Sequence, residues 1–112
     1  MSFEPEELSR EEVQTKVEET IEDNDVALFM KGTALMPQCG YSRKAVGLIQ
    51  QYRDDVETVN VLTATEAYRE ALSEYSGRET IPQTFVDGEF VGGSDILEQL
   101  DENGDLRATL NA

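Results

Sequence analysis

The sequence predicts an α/β fold in which a parallel βαβ unit is joined through a helix to an antiparallel hairpin, and three observations lead there. Val26-Ala27-Leu28-Phe29-Met30 is a continuous apolar run too short for a helix of its own, as suits a strand buried on both faces. Stretches with apolar residues at helical spacing precede and follow it. Asp87-Gly88 separates Gln83-Thr84-Phe85-Val86 from Glu89-Phe90-Val91, a strong signal for a tight hairpin turn between two short strands. The element order is α-β-α-β-α-β-β-α-α. With no internal repeat, linker or low-complexity tract, residues 1–112 read as one domain: an acidic helical region over 1–25, then a core over 26–112.

Taken in order, Ser9-Arg10-Glu11-Glu12 is a capping box, after which Val13, Val17 and Ile21 recur every four residues and form a packing stripe. The first strand runs into a loop containing Gly32 and Pro37. From Ser42 the pattern turns helical, with Ala45, Val46, Ile49 and Tyr52 inward and Arg43, Lys44, Gln50 and Arg53 outward. Val56, Val59, Val61 and Leu62 mark the second strand. A cap at Thr63 or Thr65 then opens a helix with Tyr68, Ala71, Leu72 and Tyr75 inward, stopped at Gly77. After the hairpin, Gly92-Gly93 leads into a helix from about Ser94 to near Asn103-Gly104, and Asp105 caps a short last helix with Leu106 and Leu110.

Composition narrows the chemistry. A chain of 112 residues buries roughly two thirds of the surface its unfolded form exposes, enough for one core without staples. Its single Cys excludes an intramolecular disulfide and a Cys-only metal site within one chain, and the lack of His removes the usual general base. The net charge of -15, from 24 acidic against 9 basic residues, repels phosphate backbones and anionic membranes. Neither nucleic acid nor membrane is expected as a partner. The N-terminus is acidic, with no basic segment followed by an apolar run, so a soluble, cytoplasmic protein is expected. The carboxylates suit a solvated surface and, more sharply, adaptation to high salt, where their repulsion is screened. Asp101, Asn103 and Asp105 mimic the start of a calcium loop but lack its Gly and bidentate Glu. Gly92-Gly93-Ser94 lacks the lysine of a phosphate loop.

The chemistry therefore centres on Cys39. A lone cysteine is commonly an inert buried residue, but this one stands just before the expected start of a helix. There the free amides and the helix dipole favour a thiolate, and Lys31 at the end of the preceding strand adds positive charge. Ser42 fills the second position of a Cys-x-x-Cys spacing without being able to form a disulfide, and is read as a helix-capping hydroxyl.

Met30-Lys31-Gly32, Cys39-Gly40-Tyr41-Ser42, Thr80-Ile81-Pro82-Gln83 and the run from Val86-Asp87-Gly88 to Gly93-Ser94-Asp95-Ile96 together resemble the single-domain monothiol glutaredoxins. Four motifs in order at matching intervals carry the resemblance, which spans residues 26 to about 110. It implies a thioredoxin-like, three-layer α/β/α fold with a four-stranded mixed sheet and an extra N-terminal helix. It also implies a redox-active centre with electron-transport chemistry, in which Cys39 reacts with, or ligates metal beside, a bound glutathione-type thiol. By the same resemblance, Lys31 and Arg69 hold the tripeptide's glycine carboxylate, and Tyr41 is the aromatic beside the cysteine, where the family usually has Phe. Thr80 and Ile81 offer backbone hydrogen bonds to the cysteinyl part before a cis Pro82, while Gly93, Ser94 and Asp95 take the γ-glutamyl end. The chain departs from the family pattern at Arg78-Glu79, which stand in place of a Trp-Pro pair, and at Ser73 in place of a second basic residue. Ser94 stands where a second cysteine is frequent.

Ligand counting then suggests how one cysteine serves a cluster. A [2Fe-2S] centre takes four ligands, so two chains supply two thiolates and two small-molecule thiols supply the rest. The expected product is a cluster-bridged homodimer that exchanges cargo with apo recipient or cluster-assembly proteins. Two alternatives remain: a thiol-disulfide oxidoreductase reducing mixed disulfides with a small thiol, and a redox-sensing adaptor acting through reversible modification of Cys39. The thiol is glutathione or a related molecule. Ser73 suggests that one lacking glycine, such as γ-glutamylcysteine, serves as well.

Overall fold

The structure is a computed structural model that describes residues 8–112, so the part of the acidic N-terminal region in residues 1–7 lies outside the described residues. Helix α1 spans Arg10–Asp23. Its start is fixed reciprocally: the Ser9 hydroxyl accepts from the Glu12 N–H at 3.1 Å, and the Glu12 carboxylate accepts from the Ser9 N–H at 3.1 Å. Strand β1, Val26–Met30, follows after a short bend, and all five residues are buried.

β1 is the hub of the sheet. It pairs in parallel with β2 (Glu57–Asn60) and antiparallel with β3 (Gln83–Val86), which pairs antiparallel with β4 (Glu89–Gly92), giving the order β2-β1-β3-β4. The parallel crossover is α2, Gly40–Gln50, and α3, Thr65–Ser76, carries the chain from β2 back to β3. Asp87 and Gly88 both take positive φ, 51° and 83°, which the tight turn between β3 and β4 requires. One residue, Val91, is left over in the β3–β4 ladder, because Phe85 faces Phe90 while Thr84 faces Gly92. Helices α4 (Ser94–Glu102) and α5 (Leu106–Thr109) complete the chain.

The period-two alternation of β1 separates two cores. Ala27 and Phe29 pack with Val13, Val17, Tyr68 and Leu72 beneath α1 and α3. Val26, Leu28 and Met30 pack with Ala45, Ile49, Leu97 and Leu106 beneath α2, α4 and α5. The result is helix, sheet, helix: the expected three-layer α/β/α architecture with its four-stranded mixed sheet and additional N-terminal helix.

Several local expectations are corrected. β2 ends at Asn60, and Val61–Thr63 form a single 3₁₀ turn that buries Val61 but leaves Leu62 exposed. The Asn60 side chain causes this by accepting the Leu62 N–H at 3.0 Å, which turns the chain away from the sheet. Neither Thr63 nor Thr65 caps α3; the cap position is Ala64, without a side-chain bond. Tyr75 lies at the edge of its helical stripe and is 44% exposed. Asp105 precedes α5 but makes no capping hydrogen bond. Gly77 ends α3 in the left-handed conformation, φ 74°, as expected.

Candidate functional site

The site lies where the C-terminal end of β1, the start of α2, the loop before β3 and the start of α4 meet. Gly32 follows β1 with φ 91°, and a Cβ there would sit 2.6 Å from both the Gln38 N and the Met36 O, so only glycine lets the 32–38 loop close on itself. The loop is held by Gln38 N–H donating to the Lys31 carbonyl at 2.9 Å, and by Gly32 N–H donating to Asn60 Oδ1 at 2.9 Å. At its tip Leu35 and Met36 are exposed, at 95% and 68%.

This closure delivers Cys39 to the cap position of α2 in extended backbone, φ -149° and ψ 137°. The helix starts at Gly40, two residues before the expected Ser42, because the extended residue that initiates it is the cysteine itself. Cys39 is half-buried. The Ser42 amide, above all, pulls its thiol below the ordinary range, with help from the Tyr41 amide, the Lys31 charge and the Ser42 hydroxyl and against the desolvation of partial burial.

Ser42 is not the helix cap it was expected to be. It is fully buried, and its hydroxyl accepts the Lys31 N–H at 3.0 Å, tying the end of β1 to the first turn of α2. The same side chain thus fixes the backbone of the lysine and favours the thiolate.

Two residues past Cys39, Tyr41 enters the wall of a groove of about 510 Å³, within the usual range for small-molecule sites. Tyr41, 63% exposed, forms one wall. Arg78, Thr80, Ile81 and Pro82 form another, with the Ile81–Pro82 peptide bond cis. The chain from Phe90 to Ile96 forms the third. At Gly93 a Cβ would stand 3.0 Å from the Pro82 carbonyl oxygen, so the α4 wall and the proline wall touch. Ser94 is buried and Asp95 is exposed in the first turn of α4.

Of the expected residues, Tyr41, Thr80, Ile81, Pro82, Gly93, Ser94 and Asp95 line this groove. Lys31 and Cys39 are not among its lining residues; Cys39 precedes the wall residue Tyr41 by two positions, and Lys31 lies at the far end of the 32–38 loop. Arg69 is not among the wall residues: its Nη1 pairs with Glu66 at 3.3 Å and its Nε donates to the Glu79 carbonyl at 3.2 Å, so it braces the loop from outside.

Two buttressing residues escaped the sequence reading. Asn60 holds Gly32 as described. Gln83, 1% exposed, donates through Nε2 to the carbonyls of Arg78 at 2.8 Å and Thr80 at 3.0 Å, clamping the proline wall. A side-chain amide at the start of a strand that also holds Phe85 and Val86 was the signal for Gln83. Among the described residues no group of three or more His, Cys, Asp or Glu is placed to hold a metal ion. No helix among them is long and apolar enough to cross a membrane.

Comparison with known proteins agrees with this geometry. The glutaredoxin family model matches residues 26–91. An uncharacterized monothiol glutaredoxin of Synechocystis is 44% identical over 99 residues, covering 88% of this chain and 92% of its own. The mitochondrial monothiol glutaredoxin-5 of Schizosaccharomyces pombe is 41% identical over 97 residues, covering 84% of this chain and 66% of its own. Among solved structures, reduced apo GrxS14 of poplar superposes with a TM-score of 0.76 at 37% identity, over 88% of this chain and 90% of that one. A buckwheat glutaredoxin-glutathione complex shares the fold, with a TM-score of 0.77 at 22% identity over 99% of this chain and 94% of that one. Sequence, fold and the lone thiol at the head of α2 agree that this chain belongs to the glutaredoxin family, among its monothiol members.

Proposed function

We propose that this monothiol glutaredoxin binds glutathione or a related thiol in the groove beside Cys39 and carries a [2Fe-2S] cluster as cargo between two copies of the chain. One observation carries the reading: the only thiol of the chain sits half-buried at a helix start, next to a groove with room for a second, external thiol. The donor set fits a shared cluster and not a resident one, since one thiolate per chain leaves four-fold ligation to be completed by a second chain and two small thiols. Such a cluster supplies iron and sulfide to apo recipient or assembly proteins.

The residues of the chain act on the thiol ligand. Thr80 and Ile81 offer backbone groups to its cysteinyl part. The amides at Gly93 and Ser94, at the positive end of α4, face its γ-glutamyl carboxylate, and Asp95 faces its ammonium. Lys31 adds positive charge beside the thiolate of Cys39, and Tyr41 covers the open side. A cytoplasmic location accords with a thiol held reduced.

The lowered thiol pKa favours a second activity of the same site. The Cys39 thiolate attacks the glutathione sulfur of a mixed disulfide, forming a Cys39-glutathione disulfide and releasing the protein thiolate. A second glutathione thiolate then attacks the bound glutathione sulfur, giving glutathione disulfide and restoring Cys39. Anaerobic reconstitution with iron, sulfide and glutathione separates the readings. Visible absorption on a dimer-sized species, absent in Cys39→Ser, is the expected result. A colourless monomer under every thiol, with wild type and Cys39→Ser alike, refutes cluster carriage and leaves the disulfide chemistry to be measured by turnover of a glutathionylated peptide.

A further inference from the structure

We infer that Asn60, at the end of β2, is a positioning residue for Cys39: its side-chain oxygen holds the 32–38 loop so that the thiol meets a sulfur bound in the groove, an inference that rests on the thiol-exchange reading of the site. Asn60 Oδ1 accepts from the Gly32 N–H at 2.9 Å and from the Leu62 N–H at 3.0 Å. Among the described residues, the bond to Gly32 is the only hydrogen bond that ties the 32–38 loop to anything beyond its own base at Lys31.

The other bonds of the loop fix its shape but not its place. Thr33 and Met36 pair across the tip, N–H to carbonyl, at 3.2 and 3.1 Å, and the Gln38 N–H returns to the Lys31 carbonyl. The tip itself packs on little, since Leu35 and Met36 are exposed. Gly32 is buried, so its N–H is costly to leave without an acceptor, and the loop must shift to relieve it. Cys39 follows Gln38 directly, and that shift passes to the thiol. The acceptor does not follow the loop, because the turn after β2 holds it: the Leu62 N–H shares the same oxygen, and the Thr63 hydroxyl donates to the Asn60 carbonyl at 3.1 Å.

None of the residues lining the groove receives or gives a hydrogen bond to Asn60. Loss of the Asn60 oxygen therefore separates two properties of the site. The placing of Cys39 suffers, while the hold on the thiol ligand does not.

The test is a single turnover of a glutathionylated peptide by the full chain, read at a pH where alkylation of Cys39 has reached its plateau, so that ionisation of the thiol does not enter. The Cys39 thiolate attacks the glutathione sulfur, the Cys39-glutathione disulfide forms as the peptide's S–S bond breaks, and the peptide thiolate leaves; the product is followed by mass. Binding is titrated separately with S-methylglutathione, whose thioether cannot exchange. Asn60→Leu, or Asn60→Ala should leucine not fold, is expected to slow exchange at saturation about three- to tenfold, the worth of one hydrogen bond, with S-methylglutathione affinity within about twofold of wild type. Asn60→Asp keeps the acceptor and is expected to recover the rate to within about twofold. Arg53→Met, which removes a bond to the Leu110 carbonyl, is the control for stability alone and is expected to react at the wild-type rate. The inference is overturned if Asn60→Leu reacts like wild type, if its affinity falls as far as its rate, if Asn60→Asp is equally slow, or if Arg53→Met is equally slow. Failure of every Asn60 variant to fold overturns it too, since the residue then serves the fold and not the step. A wild type that forms no Cys39-glutathione disulfide overturns the thiol-exchange reading and this inference with it, whereas a wild type that reacts while Asn60→Leu keeps pace overturns this inference alone.

Discussion

Replacing Ser42 by alanine isolates what the second position of the Cys-x-x-Ser turn contributes. The hydroxyl is fully buried and accepts the Lys31 N–H at 3.0 Å. Its loss removes one net hydrogen bond and strands a half-buried amide, together about 1.5 kcal/mol. For a chain of 112 residues that lowers Tm by roughly 6 °C. Because the hydroxyl is the smallest of the influences favouring the thiolate and the Ser42 amide the largest, the Cys39 pKa rises in the variant but stays below that of a free thiol. The assays are thermal denaturation and the pH dependence of thiolate absorbance at 240 nm. Ser73→Ala is the control, since that hydroxyl donates to the Glu70 carbonyl on an exposed helix face. If Ser42→Ala melts no lower than Ser73→Ala and its thiol titrates as in wild type, the brace between β1 and α2 does not act as described.

Four other outcomes are expected. The rate of Cys39 alkylation by iodoacetamide should reach half its maximum below the ordinary thiol value of about 8.5; a midpoint at or above it contradicts the lowered pKa. Since the folded thiol is the stronger acid, its contribution to stability is complete above the unfolded pKa and lost as pH falls through the folded one, so the advantage of wild type over Cys39→Ser in urea should widen as pH rises through that window. Gly93→Ala places a Cβ 3.0 Å from the Pro82 carbonyl oxygen and should weaken S-methylglutathione binding several-fold with a stability loss of about 1 kcal/mol or less; unchanged binding shows that the two walls need not touch. Arg53→Met should cost about 2 kcal/mol in urea unfolding, because the guanidinium, 13% exposed, donates to the Leu110 carbonyl at 2.9 Å as well as pairing with Asp55; a change under 0.5 kcal/mol counts against this C-terminal anchor.

How far the structure could be read from sequence depended on whether a feature is local. β1 was legible because five consecutive apolar residues have few other uses, and the hairpin because Asp87-Gly88 dictates positive φ. Leu62 and Tyr75 were misplaced for a common reason: apolar spacing identifies a stripe but not its edge, and here the Asn60 side chain and the width of α3 decide what is covered. Ser42 was rightly singled out and wrongly employed, since its partner lies eleven residues back, just past the end of β1. The groove illustrates the same divide. Its walls follow from motifs already visible in the chain, whereas the different surroundings of Arg69 and Arg78 depend on how Gln83 and Ser76 fold the intervening loop.

The serine at position 42 also sets a clock. With Ser42 in place of a second cysteine, a disulfide formed at Cys39 has no internal thiol to discharge it. It persists until a thiol arrives from solution, so its lifetime is inversely proportional to the concentration of that thiol. A chain with one thiol thereby depends on the reductant around it, where a two-cysteine site can discharge itself.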